Sequence, residues 1–140
     1  MAGVCCYRPD GTDARLAFHL REGAYDTDQL IGVVGALRGL LGGTWPVILI
    51  WDNLPAHTSL AMRAWAADQQ AWLQVEYLPA YAPDLNPTEG LWSNLKGTEL
   101  ANRACMRLEE LAAAAEQGIA RVRGESDLLL SFLHQAGLSL

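Results

Sequence analysis

The sequence predicts an α/β protein built as a mixed sheet flanked by helices. Three observations carry that expectation. The chain opens on two short apolar or alternating runs around a turn. Beyond them strand-like and helical segments alternate, the pattern of helices packed on the faces of a sheet. The apolar run Val47 to Trp51 then breaks at once into the polar pair Asp52-Asn53, and folds of this class gather their functional groups at strand ends.

Taken in order, Cys5 to Tyr7 and Arg15 to His19 are the strands of the opening hairpin, with Pro9-Asp10-Gly11 as its turn. The stretch "YDTDQLIGVVGALRGLLGG" follows as a helix. Asp26 or Thr27 caps its start, Leu30, Val33, Val34, Leu37, Leu40 and Leu41 recur at helical spacing, and Gly42-Gly43 ends it. Val47 to Trp51 is nearly continuous in apolar residues, as a central strand covered on both faces would be.

A second helix is expected over Ser59 to Trp72, and a short strand over Gln74 to Leu78. Pro79, Pro83 and Pro87 fix three φ angles in the loop "PAYAPDLNP", which reads as stiff, extended chain rather than helix. Further helices open at Pro87 and span Leu108 to Val122, where the Leu/Ala stripe and, earlier, Trp92 read as core. The apolar tail Asp127 to Leu140 should dock. No repeat, low-complexity tract or domain boundary interrupts residues 1–140, so one domain is expected.

Composition narrows the function classes. The chain has 140 residues, 51% apolar and 19% charged, which suits a globular protein and argues against disorder. No apolar run is long enough to span a bilayer and no signal-like segment opens the chain, so no membrane partner is expected and the cytoplasm is the default location. Cys5, Cys6 and Cys105 are an odd number, two of them adjacent, without zinc-knuckle spacing; reduced, buried thiols are expected. The net charge of −6, with nine arginines and the single Lys96, supplies no basic stripe to hold DNA by bulk electrostatics.

Asp52 is one carboxylate at a strand end; the best partner for it is Glu89 in "LNPTEGLWSNLK". With Asn86 as N-cap and Pro87 first in the helix, Glu89 falls at N3. One reading of that spacing is a capping box, with Glu89 bonding back to the cap. The other is a carboxylate in a first helical turn that faces a strand-end acid. Ser93 and Lys96 share its face, while Trp92 and Leu95 turn more toward the core. Two acids brought together need a divalent cation between them, and Mg²⁺ or Mn²⁺ suits an all-oxygen ligand set.

"VILIWDNLPAHTS" followed by "VEYLPAYAPDLNPTEGLWSNLK" resembles the catalytic domain of DDE-type transposases, in the mariner-like branch of bacterial insertion sequences. "ANRACMRLEEL" and "SFLHQAGLSL" resemble that family's C-terminal segments. The resemblance implies a ribonuclease H-like fold and metal-dependent cleavage of transposon-end DNA, followed by joining to a target. Two Mg²⁺ or Mn²⁺ ions, about 4 Å apart, would clamp the entering and leaving oxygens. Asp52 matches the family's second catalytic acid and Glu89 its third, 37 positions further on. Both are thus expected to be catalytic and metal-ligating.

The family's first acid lies on a central first strand. Asp10 and Asp13 fall around a hairpin turn instead, and no acid precedes them. A truncated domain is therefore expected, without the first strand and without the basic helix-turn-helix region. Its open sheet edges would suit another transposase chain or an upstream fragment.

Several residues carry two readings. Asn53 orients Asp52 or shapes the turn. His57 touches DNA or water near Asp52, or is a locally satisfied hydrogen-bonding group. Tyr81 stacks on a base or anchors its loop. Lys96 meets phosphate or is an exposed helix charge. Arg103, Arg107, Arg121 and Arg123, interleaved with glutamates, read as a solvated helix surface. Against the transposase stand two rivals: a non-catalytic remnant serving as an interaction module, and an unrelated phosphohydrolase using Asp52, His57 and Glu89.

Overall fold

The opening hairpin is set by its turn. Gly11 takes φ +69°, a conformation that costs glycine nothing, and Asp10 Oδ1 accepts from the Thr12 N–H at 3.0 Å and the Thr12 hydroxyl at 2.6 Å. These local bonds fix the register of β1 (Ala2–Tyr7) against antiparallel β2 (Ala14–His19). Both strands run longer than the apolar runs alone suggested.

The structure is a computed structural model that describes residues 1–43, 45–101 and 107–140. They group into two compact units: residues 1–20 with 84–140, and residues 21–83. Cys105, Arg103 and the rest of residues 102–106, within "ANRACMRLEEL", lie outside the described residues. No helix among those described is long and apolar enough to cross a membrane.

In the first unit, β1 and β2 pack with α4 (Pro87–Gly97), α5 (Leu108–Arg123) and α6 (Ser126–Gln135). The hairpin gives Ala14 and Leu16 to a core shared with Leu91, Leu95, Ile119, Val122, Leu129 and Phe132. Trp92 packs against it, as the sequence indicated. The expected tail does dock, through buried Leu129, Phe132 and Leu133.

Gly118 is required where α5 meets α4: a Cβ there would lie 2.5 Å from Leu95 Cδ2 and 2.7 Å from Glu99 Oε2. Nearby, Arg121 donates to the Glu99 carboxylate at 2.6 Å and to Asn94 Oδ1 at 2.6 Å. That pair holds the Glu99 carboxyl down at about 2. Arg123 Nε donates to the Leu16 carbonyl at 3.0 Å. These two arginines therefore tie elements together, whereas the charge pattern had suggested a solvated surface. Cys5 and Cys6 are free thiols but only half-buried; desolvation still pushes Cys6 up to about 11.

In the second unit, α1 (Thr27–Leu40) begins with the capping box of Asp26 and Gln29 and ends at Gly42-Gly43, as expected. β3 (Val47–Trp51) pairs in parallel with β4 (Leu73–Tyr77). A parallel pair needs a crossover, here α2 (Pro55–Thr58) and α3 (Leu60–Asp68). The expected long helix stops at Asp68 because Gln69 caps it and Trp72 turns into the strand; the Trp72 carbonyl accepts from the Val47 N–H at 2.7 Å.

The sheet is not continuous: the described strands form two separate two-stranded sheets, where the sequence predicted a mixed sheet lacking its first, central strand. Nor is β3 covered on both faces. Leu49 and Trp51 are buried, while Ile48 and Ile50 are 62% and 55% exposed, the alternation of a strand packed on one side. The proline loop departs too: Pro83–Leu85 makes a 3-10 turn, which proline tolerates at its first position, where no N–H is needed.

Candidate active site

Asp52 follows the last residue of β3, at the carboxyl end of the parallel pair. The Leu78 N–H donates to the Trp51 carbonyl at 2.9 Å, and Asn53 Nδ2 donates to the Leu78 carbonyl at 2.7 Å. Asn53 therefore ties the two strand ends together, the turn-shaping reading of that residue. Asp52 Oδ1 accepts from the Leu54 N–H at 3.1 Å, a turn closed by the side chain itself. Proline at the first position of α2 then starts the short helix that carries His57.

His57 comes back onto Asp52. Its Nδ1 lies 2.7 Å from Asp52 Oδ1. The imidazole stacks on Trp51 with ring centroids 4.2 Å apart and planes 5° apart, and the Tyr77 hydroxyl donates to the His57 carbonyl at 3.1 Å. An uncapped acid at the end of a buried strand is costly. Instead Oδ1 is fully employed, while the side chain as a whole stays 46% exposed and that of His57 only 15%. Oδ2 makes no hydrogen bond among the described residues and is the atom left for a ligand.

Glu89 lies in the other unit, in the first turn of α4. Asn86 caps that helix by accepting from the Thr88 N–H at 3.1 Å. The Glu89 N–H bonds to the Asn86 carbonyl at 3.0 Å, but its carboxylate does not return to the cap. The capping-box reading of Glu89 is thus replaced: the carboxylate is exposed and makes no hydrogen bond among the described residues. Ser93 and Lys96, further along α4, are exposed, whereas Leu91 and Leu95 are buried.

Tyr81 is fully exposed and makes no hydrogen bond or ring contact among the described residues. Its φ of +59° is unusual for an aromatic residue. Asp10 and Asp13 are engaged locally, Asp13 with Arg15 at 2.8 Å. The Trp51–His57 stack is the feature that sequence reasoning missed. Its only signal was the spacing of an aromatic at the strand end and a histidine one short turn beyond the acid.

These features define an α/β protein that displays one carboxylate at the carboxyl end of a parallel strand pair and another in the first turn of a helix. The chain belongs to the DDE superfamily endonucleases, whose family pattern it matches over residues 11–112. None of the curated proteins matches it. The family is one of transposase-like nucleases, which implies a DNA substrate, and enzymes of this superfamily generally use divalent metal ions. Each carboxylate by itself has the chemistry such ions take: Asp52 Oδ2 and, in the other unit, the Glu89 carboxylate are hard oxygens without protein partners among the described residues. Among those residues, no group of three or more His, Cys, Asp and Glu side chains comes together.

Proposed function

We propose that the chain is the ribonuclease H-like catalytic domain of a mariner-like insertion-sequence transposase, with Asp52 and Glu89 as metal-ligating catalytic acids. The observation that carries this reading is the state of Asp52: one oxygen fixed by Leu54 and His57, the other without a hydrogen bond among the described residues, at the carboxyl end of β3. A carboxylate needed only to close its turn would not also require a stacked histidine.

In this reading Asp52 and Glu89 would hold Mg²⁺ or Mn²⁺, and the ion would supply positive charge against the scissile phosphate. Asn53 sets the turn that aims Asp52, His57 steadies it, and exposed Lys96 contacts the DNA backbone. Water attacks the scissile phosphodiester and displaces the 3′-hydroxyl, which then attacks a target phosphodiester and displaces that strand's 3′-oxygen. Asp10 and Asp13, spent on the hairpin turn, take no part.

Incubating supercoiled plasmid carrying transposon ends with the chain and Mn²⁺ tests the proposal. Nicking that is lost in Asp52→Asn and in Glu89→Gln supports it. A folded wild-type chain that never nicks DNA favours the remnant.

A further inference from the structure

We infer that His57 is a positioning residue for Asp52, acting through Nδ1–H, so that Asp52 presents Oδ2 alone to a divalent cation. The inference rests on the metal-ligand reading of Asp52.

The imidazole is fixed from three directions. Its Nδ1 is 2.7 Å from Asp52 Oδ1 and 3.3 Å from the Asp52 carbonyl oxygen. Both of those atoms are acceptors when Asp52 is ionised, so Nδ1 must carry the proton. One ring face lies flat on Trp51, itself buried. The backbone behind the ring is held by the Tyr77 hydroxyl, and Tyr77 is the register partner of Trp51 on β4. A histidine meant only to satisfy itself needs none of this, since an exposed loop offers water. A histidine meant to reach DNA would not have its side chain 85% covered beneath the strand end.

What the arrangement does is remove freedom from a half-exposed carboxylate. The Leu54 N–H alone leaves Asp52 able to turn about its Cβ–Cγ bond and exchange its oxygens. A second donor on the same oxygen, carried by a ring that cannot move, fixes which oxygen points outward. Partners of this kind around ligating carboxylates typically change metal affinity by about 10–100-fold.

The two ring nitrogens can be separated by substitution. In His57→Asn the amide nitrogen sits as many bonds from Cα as Nδ1 does, so the donor to Asp52 can be kept. In His57→Gln the amide lies out where Nε2 was, and the donor at Nδ1 is lost. The side-chain ¹⁵N resonances of His57 in the metal-free wild-type chain report the tautomer directly. Titration with MnCl₂ then compares wild type, His57→Asn, His57→Gln and His57→Ala, each checked for folding by its thermal melt.

The expected result is the Nδ1–H tautomer, with Mn²⁺ affinity about tenfold or more weaker in the Gln and Ala variants and within about threefold of wild type in Asn. An Nε2–H tautomer overturns the inference. So does Gln binding like wild type while Asn fails, which would make Nε2 the working atom, or equal affinity in all four chains. A folded wild type that shows no saturable Mn²⁺ binding removes the metal reading of Asp52 itself, and the positioning role goes with it.

Discussion

His57 Nδ1 sits 2.7 Å from Asp52 Oδ1, and the ring that holds it there is stacked on Trp51, the residue immediately before that aspartate. Strand end, acid and histidine therefore form one closed unit: Trp51 supports the ring, the ring fixes the acid, and the acid caps the turn leading back to the ring. The carboxylate that faces outward is held by neighbours that nearly all come from residues 51–57, with Tyr77 at the end of β4 and Leu78 just beyond it completing the frame.

Glu89 and its helix cap separate stability from chemistry. Asn86 makes the capping bond and Glu89 does not. Asn86→Ala should cost about 1 kcal/mol, read from denaturant midpoints. Glu89→Gln should stay within about 0.5 kcal/mol of wild type while abolishing nicking. A large loss of stability in Glu89→Gln would return that residue to a structural role.

Acid should weaken the first unit through Glu99. Its hydrogen bonds from Arg121, and secondarily from Thr98, hold the carboxyl at about 2 against an ordinary 4.5. A depressed value means the folded state prefers the ionised form. The stabilisation is present above about pH 4.5 and is lost as pH falls toward about 2. Glu99→Gln should therefore be less stable than wild type at neutral pH, by about 1 kcal/mol given the partly exposed arginine. The gap should close in acid, as paired melts across that window would show.

Gly118→Ala inverts an ordinary rule. Alanine for glycine within an exposed helix stabilises by about 1 kcal/mol. Here the new methyl would press on Leu95 and Glu99 at 2.5 and 2.7 Å, so a loss of about 1–3 kcal/mol is expected. A raised melting temperature would mean that α4 and α5 are not packed this closely.

Tyr81 holds a left-handed backbone with its side chain fully exposed. Asparagine tolerates that conformation better, and Tyr81→Asn should gain up to about 1 kcal/mol. Unchanged or lower stability would show that the tyrosine is not strained there.

Much of this was legible from the residues. Asp26, Gly42-Gly43, Asn86 and Pro87 marked helix ends because caps and breakers act locally, and the hairpin turn was written in Pro9-Asp10-Gly11. Asp52 and Glu89 stood out for the same reason, as acids at a strand end and at a helix start. What escaped was non-local. The apolar run of β3 could not reveal that Ile48 and Ile50 face outward, since continuous apolarity is the same in a strand with one covered face or two. The charge pattern of α5 could not show Arg121 reaching back to Glu99, 22 residues earlier. The stack of His57 on Trp51 needed the turn between them.

The most direct test of the central claim is calorimetric titration of the purified chain with Mn²⁺, beside Asp52→Asn. The account predicts saturable binding by the wild type and its loss in the variant, with both chains folded. Equal binding by the two chains, or none by a folded wild type, would contradict it.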